Sequence, residues 1–243
     1  MSASDVVKEL KALKDPKKAN NLAWFFKTGK GEYGEGDKFL GIVMGDLRQI
    51  AKKYCDLPLT EVQKLVVNPY HEIRMAALLV LVYKVTDLQK LRILRTREID
   101  SLKQIYDFYL KNTKYINNWD LVDVTTPQIV GNYLVNRDRK ILYKLAKSKS
   151  LWEKRIAVLA TFSFIKNRDF HDALKIAEVL LNDNHDLIHK AVGWMLREVG
   201  KRDPAEERAF LDKHGLNMPR TMLRYAIEKF PEPMRQKYLK RKS

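Results

Sequence analysis

The strongest constraint on the fold is a helical periodicity of apolar residues in several long segments. HEIRMAALLVLVYK (71–84), WEKRIAVLATFSFIK (152–166) and DLIHKAVGWMLREVGK (186–201) each carry apolar residues at i, i+3, i+4 and i+7. This spacing places the apolar side chains on one face of an α-helix, and the strict alternation that is typical of β-strands is nearly absent. The sequence therefore predicts an all-α fold.

The same segments resemble one another, which indicates internal repeats. Aligned on their small apolar runs, they place Arg74, Arg155 and Lys190 at one offset, and Arg224 has a similar position in TMLRYAIEKF. These positions are separated by one or two periods of roughly 35–40 residues, which is typical of stacked helix pairs. We predict an α-solenoid of HEAT-like helical repeats with a concave basic groove. The alternative is a coincidence among helices that are rich in Ala and Leu.

The charge of the chain points to a polyanionic partner. Its 243 residues contain 46 Lys and Arg against 30 Asp and Glu, which gives a net charge of +16. Such an excess on a compact surface repels itself unless a polyanion offsets it. Nucleic acid is the first candidate partner, an anionic membrane surface is the second, and a merely basic soluble protein is the third reading. We expect no signal peptide and no membrane span, because no apolar run is long enough.

No segment of the chain has the character of a linker between domains, so we expect one helical-repeat domain over residues 1–243. Its last part, 235–243 (RQKYLKRKS), is basic and is expected to be a flexible tail. Cys55 is the single cysteine, which excludes an intramolecular disulfide and suits a reducing compartment. We expect a cytoplasmic location, with nucleoid association if the protein is bacterial.

The residue patterns that metal and cofactor chemistry require are missing from the sequence. The five histidines form no ligand cluster with a known metal-site spacing. The segment TGKGEYGEGDKFLG (28–41) holds five of the ten glycines, but it lacks the Lys-Ser/Thr pair of a phosphate-binding loop, so we predict a flexible loop. We expect neither a metal nor a small-molecule cofactor. Any catalysis must then use a carboxylate, aromatic faces and fixed positive charge.

Three short segments carry groups of that kind. NNWDLVD places Trp119 and Asp123 four residues apart on one helix face, and KAVGWMLRE places Trp194 and Arg197 three residues apart. In KSLWEKR, Arg155 follows a further tryptophan at a spacing of three residues. Taken together, these segments indicate a cleft with two aromatic faces, one carboxylate and two guanidinium groups.

Each of these side chains also has an ordinary structural interpretation. Trp119 and Trp194 can be core anchors, since tryptophan is usually well buried. Asp123 can complement the dipole of a helix from its first turn, and for Asp120, beside an asparagine cap, we expect only that role. The two arginines can pair with the glutamates next to them in the sequence. The functional interpretation rests on the combination rather than on any single residue.

The combination resembles the HEAT-like-repeat DNA alkylation repair enzymes, the AlkD-type alkylpurine DNA glycosylases. FLGI followed by DLR, NNWDLVD, WEKRIAVLATF and HKAVGWMLREVGKRDP occur in the order and at the spacing of that family, and the similarity covers roughly residues 20–230. The chain departs from the family at Val43, where a polar side chain is usual, and at Phe25, where a tyrosine occurs. These departures concern the DNA contacts of the N-terminal part.

The resemblance implies a role for each residue of the combination. Asp123 would be the catalytic carboxylate, Trp119 and Trp194 would flank the lesion nucleotide, and the arginines would hold the phosphate backbone. The predicted DNA-binding residues are Arg155, Arg197, Lys190 and Arg74. The implied activity is hydrolysis of the N-glycosidic bond of cationic alkylated purines, such as 3-methyladenine and 7-methylguanine, in duplex DNA. We expect a monomer, and the alternative function is a non-catalytic helical-repeat protein that binds nucleic acid or acts as a scaffold.

Overall fold

The computed structural model describes residues 1–91 and 96–240, and these residues are predominantly helical. Within those two ranges, the only extended pairing is an isolated bridge between Lys38 and Tyr70. The predicted all-α fold is confirmed. The α-helices are α1 (Ala3–Ala12), α2 (Pro16–Phe25), α3 (Met44–Lys53), α4 (Leu59–Val66), α5 (His71–Gln89), α6 (Thr96–Lys111), α7 (Trp119–Thr126), α8 (Asn132–Leu134), α9 (Lys140–Ala146), α10 (Leu151–Lys166), α11 (His171–Val179), α12 (Asp186–Gly200), α13 (Pro204–His214), α14 (Arg220–Ala226) and α15 (Glu232–Lys240).

Several helices begin at side-chain caps that the sequence encodes locally. Ser2 accepts a backbone hydrogen bond at the start of α1, and Asp15 and Asp203 do the same for α2 and α13. Pro16 and Pro204 occupy the first helical positions of α2 and α13, where a missing N–H costs nothing. A cap of this kind stabilises a helix by about 1 kcal/mol, because it satisfies N–H groups that have no partner within the helix.

The chain divides into two compact units, Met1–Ile129 and Val130–Ser243. In the N-terminal unit, α5 is the central helix and packs against α3, α4, α6 and α7. The side chains of α5 are buried almost continuously from His71 to Leu81. The expectation of a single domain over the whole chain, and of a concave groove, stays a prediction.

In the C-terminal unit, α10 and α12 are the central helices, and α9, α11, α13 and α14 pack around them. The contact between α12 and α14 is close because of Gly193. A Cβ atom at this position would clash with the carbonyl oxygen of Met222 and would lie 2.5 Å from the Cβ atom of Tyr225. In each unit, shorter helices thus pack around long central ones, α5 in the N-terminal unit and α10 and α12 in the C-terminal unit.

Residues 235–240, which the sequence predicts as part of a flexible basic tail, are helical in the structure. These residues belong to α15, and Tyr238 is buried, with its ring centroid 5.8 Å from that of Phe230 and its hydroxyl donating to Asp212 over 3.0 Å. The aromatic contact orders the helix despite its lysine-rich composition. The last part of the predicted tail, 241–243, lies outside the described residues.

A membrane crossing requires a helix that is both long and strongly apolar. Among the helices in the described part of the chain, none meets both conditions.

Candidate functional site

The helix α7 carries the two central residues of the site predicted for the N-terminal unit. Asn118 caps α7 by accepting a hydrogen bond from the backbone N–H of Trp119 over 2.8 Å. Trp119 and Asp123 are one helical turn apart, so they project from the same face, and both are partly exposed. The local sequence therefore presents an aromatic face beside a carboxylate, as predicted from their spacing.

An aromatic cluster fixes the position of Trp119. The ring of Phe26 is stacked on Trp119 at a centroid distance of 5.3 Å, and Phe25 meets it edge-on at 5.9 Å. Phe39 stacks on the other side of the cluster, 5.2 Å from Phe26 and 4.7 Å from the ring of His71. Stacked and edge-on pairs of this kind add about 0.5–1.5 kcal/mol each beyond their burial, so Trp119 has a well-defined orientation.

A buried chain of charges lies beneath the cluster and was not anticipated from the sequence. His71 contacts Asp37 through Nδ1 and Asp120 through Nε2, both over 2.9 Å. Burial alone would lower the pKa of His71, but the two carboxylates on either side raise it to about 9. The Arg74 guanidinium adds a second positive charge, donating to Asp37 over 2.6 Å. The pKa of Asp37 is correspondingly lowered, because His71 and Arg74 outweigh the effect of its burial.

The interpretation of Asp120 as a residue that acts only on the helix dipole is wrong. Asp120 does lie in the first turn of α7, but its Oδ2 atom also binds His71, the first residue of α5. This ion pair joins the start of α7 to the start of α5, and the pair spans 49 residues of sequence. The neighbouring Asp123 is thereby held on a helix whose position is fixed by a buried charge pair.

A second buried network fixes the other end of α7. The Tyr109 hydroxyl hydrogen bonds with the hydroxyls of Thr125 and Thr126 over 2.9 and 2.8 Å. Burial raises the pKa of Tyr109 to about 12, and the negative charge of Asp123 adds to this effect. The Asp123 carboxylate is therefore close enough to this network for its field to act on the phenol.

The segment predicted as a flexible loop, 28–41, has a defined role in this arrangement. The N–H groups of Gly29 and Gly31 donate to Glu32 and Glu35 over 2.8 Å, which closes two tight turns. The end of the segment brings Asp37 to His71. The three backbone N–H groups that follow, at positions 40–42, all donate to the buried carboxylate of Glu72 on α5. The FLGI sequence is thus anchored to the start of α5.

The helix α12 carries the predicted pair of the C-terminal unit. The indole N–H of Trp194 donates to Glu198 over 3.3 Å, and the ring of Phe162 lies at a centroid distance of 6.2 Å. Arg197 forms an ion pair with Glu228 and is largely covered. The alternative pairing of Arg197 with Glu198 is wrong, because Glu198 instead accepts from the basic residues that follow it, Lys201 and Arg202.

The remaining predicted DNA-binding residues differ strongly in exposure. Arg74 and Arg155 are each 4% exposed. Arg74 donates to the backbone carbonyls of Asn68 and Tyr115, and Arg155 donates to the carbonyl of Leu187. Lys190, by contrast, is partly exposed and forms an ion pair with the exposed Asp186 over 2.6 Å. The guanidinium group of Arg74 is therefore directed into the protein, which does not favour the predicted contact with DNA.

A metal site requires several acidic, histidine or cysteine side chains close together. Across the ranges 1–91 and 96–240, no group of three or more such residues has the geometry to hold a metal ion. Sequence reasoning missed three residues of the arrangement around Trp119, namely Phe26, Asp37 and His71. Only their long-range contacts identify them.

Comparison with known proteins places the chain in a family. The family model described as DNA alkylation repair enzyme matches residues 6–230. Among solved structures, a predicted DNA alkylation repair enzyme from Enterococcus faecalis has a similar fold, with a TM-score of 0.67 at 15% sequence identity. The match covers 90% of this chain and 97% of that one. A search of curated proteins gives no significant match. The similar fold supports the helical-repeat architecture, and the family match establishes that this chain belongs to the DNA alkylation repair enzymes.

Proposed function

We propose that the protein is an alkylpurine DNA glycosylase, which hydrolyses the N-glycosidic bond of cationic purines such as 3-methyladenine and 7-methylguanine in duplex DNA. The observation that carries the proposal is the pairing of Trp119 and Asp123 on one face of α7. Both side chains are partly exposed, and buried contacts at each end of the helix hold them in place. Family membership supports a substrate of alkylated DNA.

The chemistry requires little from the protein. An N-alkylated purine already carries a positive charge, so it leaves without a general acid, and the sugar acquires oxocarbenium character as in glycoside hydrolysis. A carboxylate at ~4 Å from that charge stabilises it by about 4 kcal/mol at an effective dielectric constant of ~20. This corresponds to a rate factor of roughly 10³. Asp123 can also hold the attacking water, the second role of a carboxylate in such sites.

Aromatic faces contribute to the recognition of a cationic base. Trp119 offers a face that its stacking on Phe26 already orients. A cation over a tryptophan face is stabilised by about 0.5–2 kcal/mol, so a charged lesion is favoured over an undamaged base. We propose that Trp194, in the C-terminal unit, also contacts DNA through its indole face, whose N–H is already held by Glu198.

Phosphate contacts supply affinity rather than sequence preference. We propose Arg197 and Lys190 for these contacts, because both form ion pairs with partly exposed carboxylates that a phosphate group can displace. For Arg155 to contact DNA in this proposal, a phosphate oxygen must replace the Leu187 carbonyl as the acceptor of its hydrogen bond.

The test is the release of free 7-methylguanine from methylated duplex DNA under single-turnover conditions. Asp123→Asn should reduce the rate about 10³-fold while leaving DNA affinity nearly unchanged, because the carboxylate acts on the charge that develops in the transition state. Asp107→Asn is the matched control, since it removes an exposed carboxylate on α6 that pairs with Lys103.

Two outcomes would contradict the proposal. Equal release by the native protein and Asp123→Asn would reject the assigned role of that carboxylate. No release by either protein, together with salt-sensitive DNA binding, would favour the alternative function of a non-catalytic nucleic-acid-binding protein.

A further inference from the structure

The helix α2 has a surface that the proposed chemistry does not use. None of its residues is fully buried, and its last residue, Phe25, contacts Trp119. Positions 20, 21 and 24 follow position 17 by three, four and seven residues, so all four lie on one side of the helix. All four of these side chains are exposed: Lys17, Asn20, Asn21 and Trp24.

Trp24 is the most unusual member of this face. It is 76% exposed, and the adjacent Phe25 is 53% exposed. Tryptophan is a large apolar side chain that proteins usually bury, so exposure on this scale indicates a binding surface. The ammonium group of Lys27 lies 5.3 Å from the centroid of the Trp24 ring. One face of the indole is thus in contact with a cation, next to a polar and basic helix surface.

The charge around Trp24 defines the partner. The sequence of α2, PKKANNLAWF, contains no acidic residue. In the part of the chain that the structure describes, Asp15 caps the helix and pairs with Lys18 over 3.3 Å, whereas Lys17 and Lys27 form no ion pair. An apolar partner surface or a second copy of this chain, with its net charge of +16, would leave these ammonium groups unmatched. A polyanion that also offers flat aromatic groups would match both features.

The dimensions suit a nucleic-acid strand. Lys17 and Trp24 are seven residues apart, which corresponds to about 10 Å along the helix axis. That distance is close to three base steps of ~3.4 Å each. The last turn of α2 also adjoins the proposed site, because Phe25 contacts Trp119 at 5.9 Å. A base near the lesion is therefore within reach of the same turn.

We propose that the exposed face of α2 binds DNA, with Trp24 stacking on a base that has lost its neighbour and Lys17 and Lys27 contacting the flanking phosphates. The inference rests on the proposed function for the identity of the ligand as DNA. It adds a ligand preference, because an abasic product or a distorted lesion site exposes a base face that intact duplex DNA does not. Aromatic stacking of this kind is tolerant of base identity.

The test compares the binding of two fluorescein-labelled duplexes, one intact and one with a single tetrahydrofuran abasic analogue. The native protein should prefer the abasic duplex. Trp24→Ala should weaken that complex about 5- to 100-fold, and Trp24→Phe should retain most of the affinity. Lys17→Ala should weaken both duplexes equally and lower the slope of log Kd against log salt by about one.

Leu216→Ala is the matched control, because Leu216 is a comparably exposed apolar residue (50%) in the other unit, and its loss should leave both affinities unchanged. Sedimentation velocity in the absence of DNA tests the competing occupant of this face, a second copy of the chain. The proposal is overturned if Trp24→Ala binds the abasic duplex as the native protein does, or if it only converts a dimer into a monomer. Failure of the proposed function is seen separately, as the absence of base release by a native protein that still prefers the abasic duplex.

Discussion

Glu207 is a buried acid whose ionisation should make the stability of the protein depend on pH. It lies in the first turn of α13 and is 2% exposed. Its Oε1 atom has no hydrogen-bond partner within the described residues, and its Oε2 atom lies against Gly200, the last residue of α12. Burial raises the pKa of Glu207 to about 8, although the charges of Arg197 and Arg208 act in the opposite direction. The carboxyl group is therefore mostly neutral at pH 7.

The magnitude follows from the difference between the two pKa values. The unfolded chain releases this proton near pH 4.5, whereas the folded protein keeps it up to pH of about 8. Folding therefore takes up a proton between these values, so the free energy of unfolding falls as the pH rises, by up to about 1.4 kcal/mol per pH unit. Between pH 5 and pH 7.5 the expected loss is about 3 kcal/mol, a large part of the stability of a typical domain.

The perturbation is Glu207→Gln, which keeps the shape of the neutral acid and removes its titration. Urea unfolding at constant ionic strength, followed by circular dichroism, should give nearly equal stabilities for the native protein and the variant at pH 5. At pH 7.5 the variant should be more stable by about 3 kcal/mol. Glu206→Gln is the control, since Glu206 is exposed in the same turn and its replacement should change stability by less than ~0.5 kcal/mol. Parallel curves for the native protein and Glu207→Gln from pH 5 to pH 8 would refute the reasoning.

Two further changes have defined outcomes. Gly200→Ala should lower the free energy of unfolding by about 1–3 kcal/mol, because the new Cβ atom would clash with Oε2 of Glu207. Adding Glu207→Ala should recover most of that loss, and a purely additive double variant would contradict the contact. His71→Gln should cost most stability below pH 6.5 and progressively less towards pH 9, because the raised pKa of His71 stabilises the folded state only while the ring is protonated. Equal losses measured by urea unfolding at pH 6 and pH 9.5 would speak against the charged His71.

The site illustrates which features a sequence reveals by itself. Trp119 and Asp123 were identifiable because a spacing of four residues in a helix fixes their common face, whatever the rest of the fold does. Asp120 lies between them and was misinterpreted, because the same first-turn position suits an acid that only complements the helix dipole. Its binding to His71 depends on how α5 and α7 pack, and no local pattern encodes that packing.

The glycine-rich segment that carries Asp37 is a second feature whose structure the local sequence does not predict. Its composition predicts a loop, but Glu32 and Glu35 close defined turns within it by accepting hydrogen bonds from backbone N–H groups.

Glu207 is a third residue whose role the local sequence does not reveal. In PAEER, two adjacent glutamates look equivalent, and helix phase alone decides that Glu206 is exposed while Glu207 is buried.

The recurrence of Arg74 and Arg155 at one offset has a structural cause that the sequence does not distinguish from DNA binding. Arg74 and Arg155 lie near the starts of α5 and α10, and both donate to backbone carbonyls of segments far along the chain. A guanidinium group suits this position, because it carries five N–H donors in a planar fork and keeps its charge when buried. An arginine selected for joining successive helices recurs with the period of the repeat, just as one selected for phosphate contacts would. Exposure separates the two causes, and it directs the search for DNA contacts towards surface lysines such as Lys17 and Lys27.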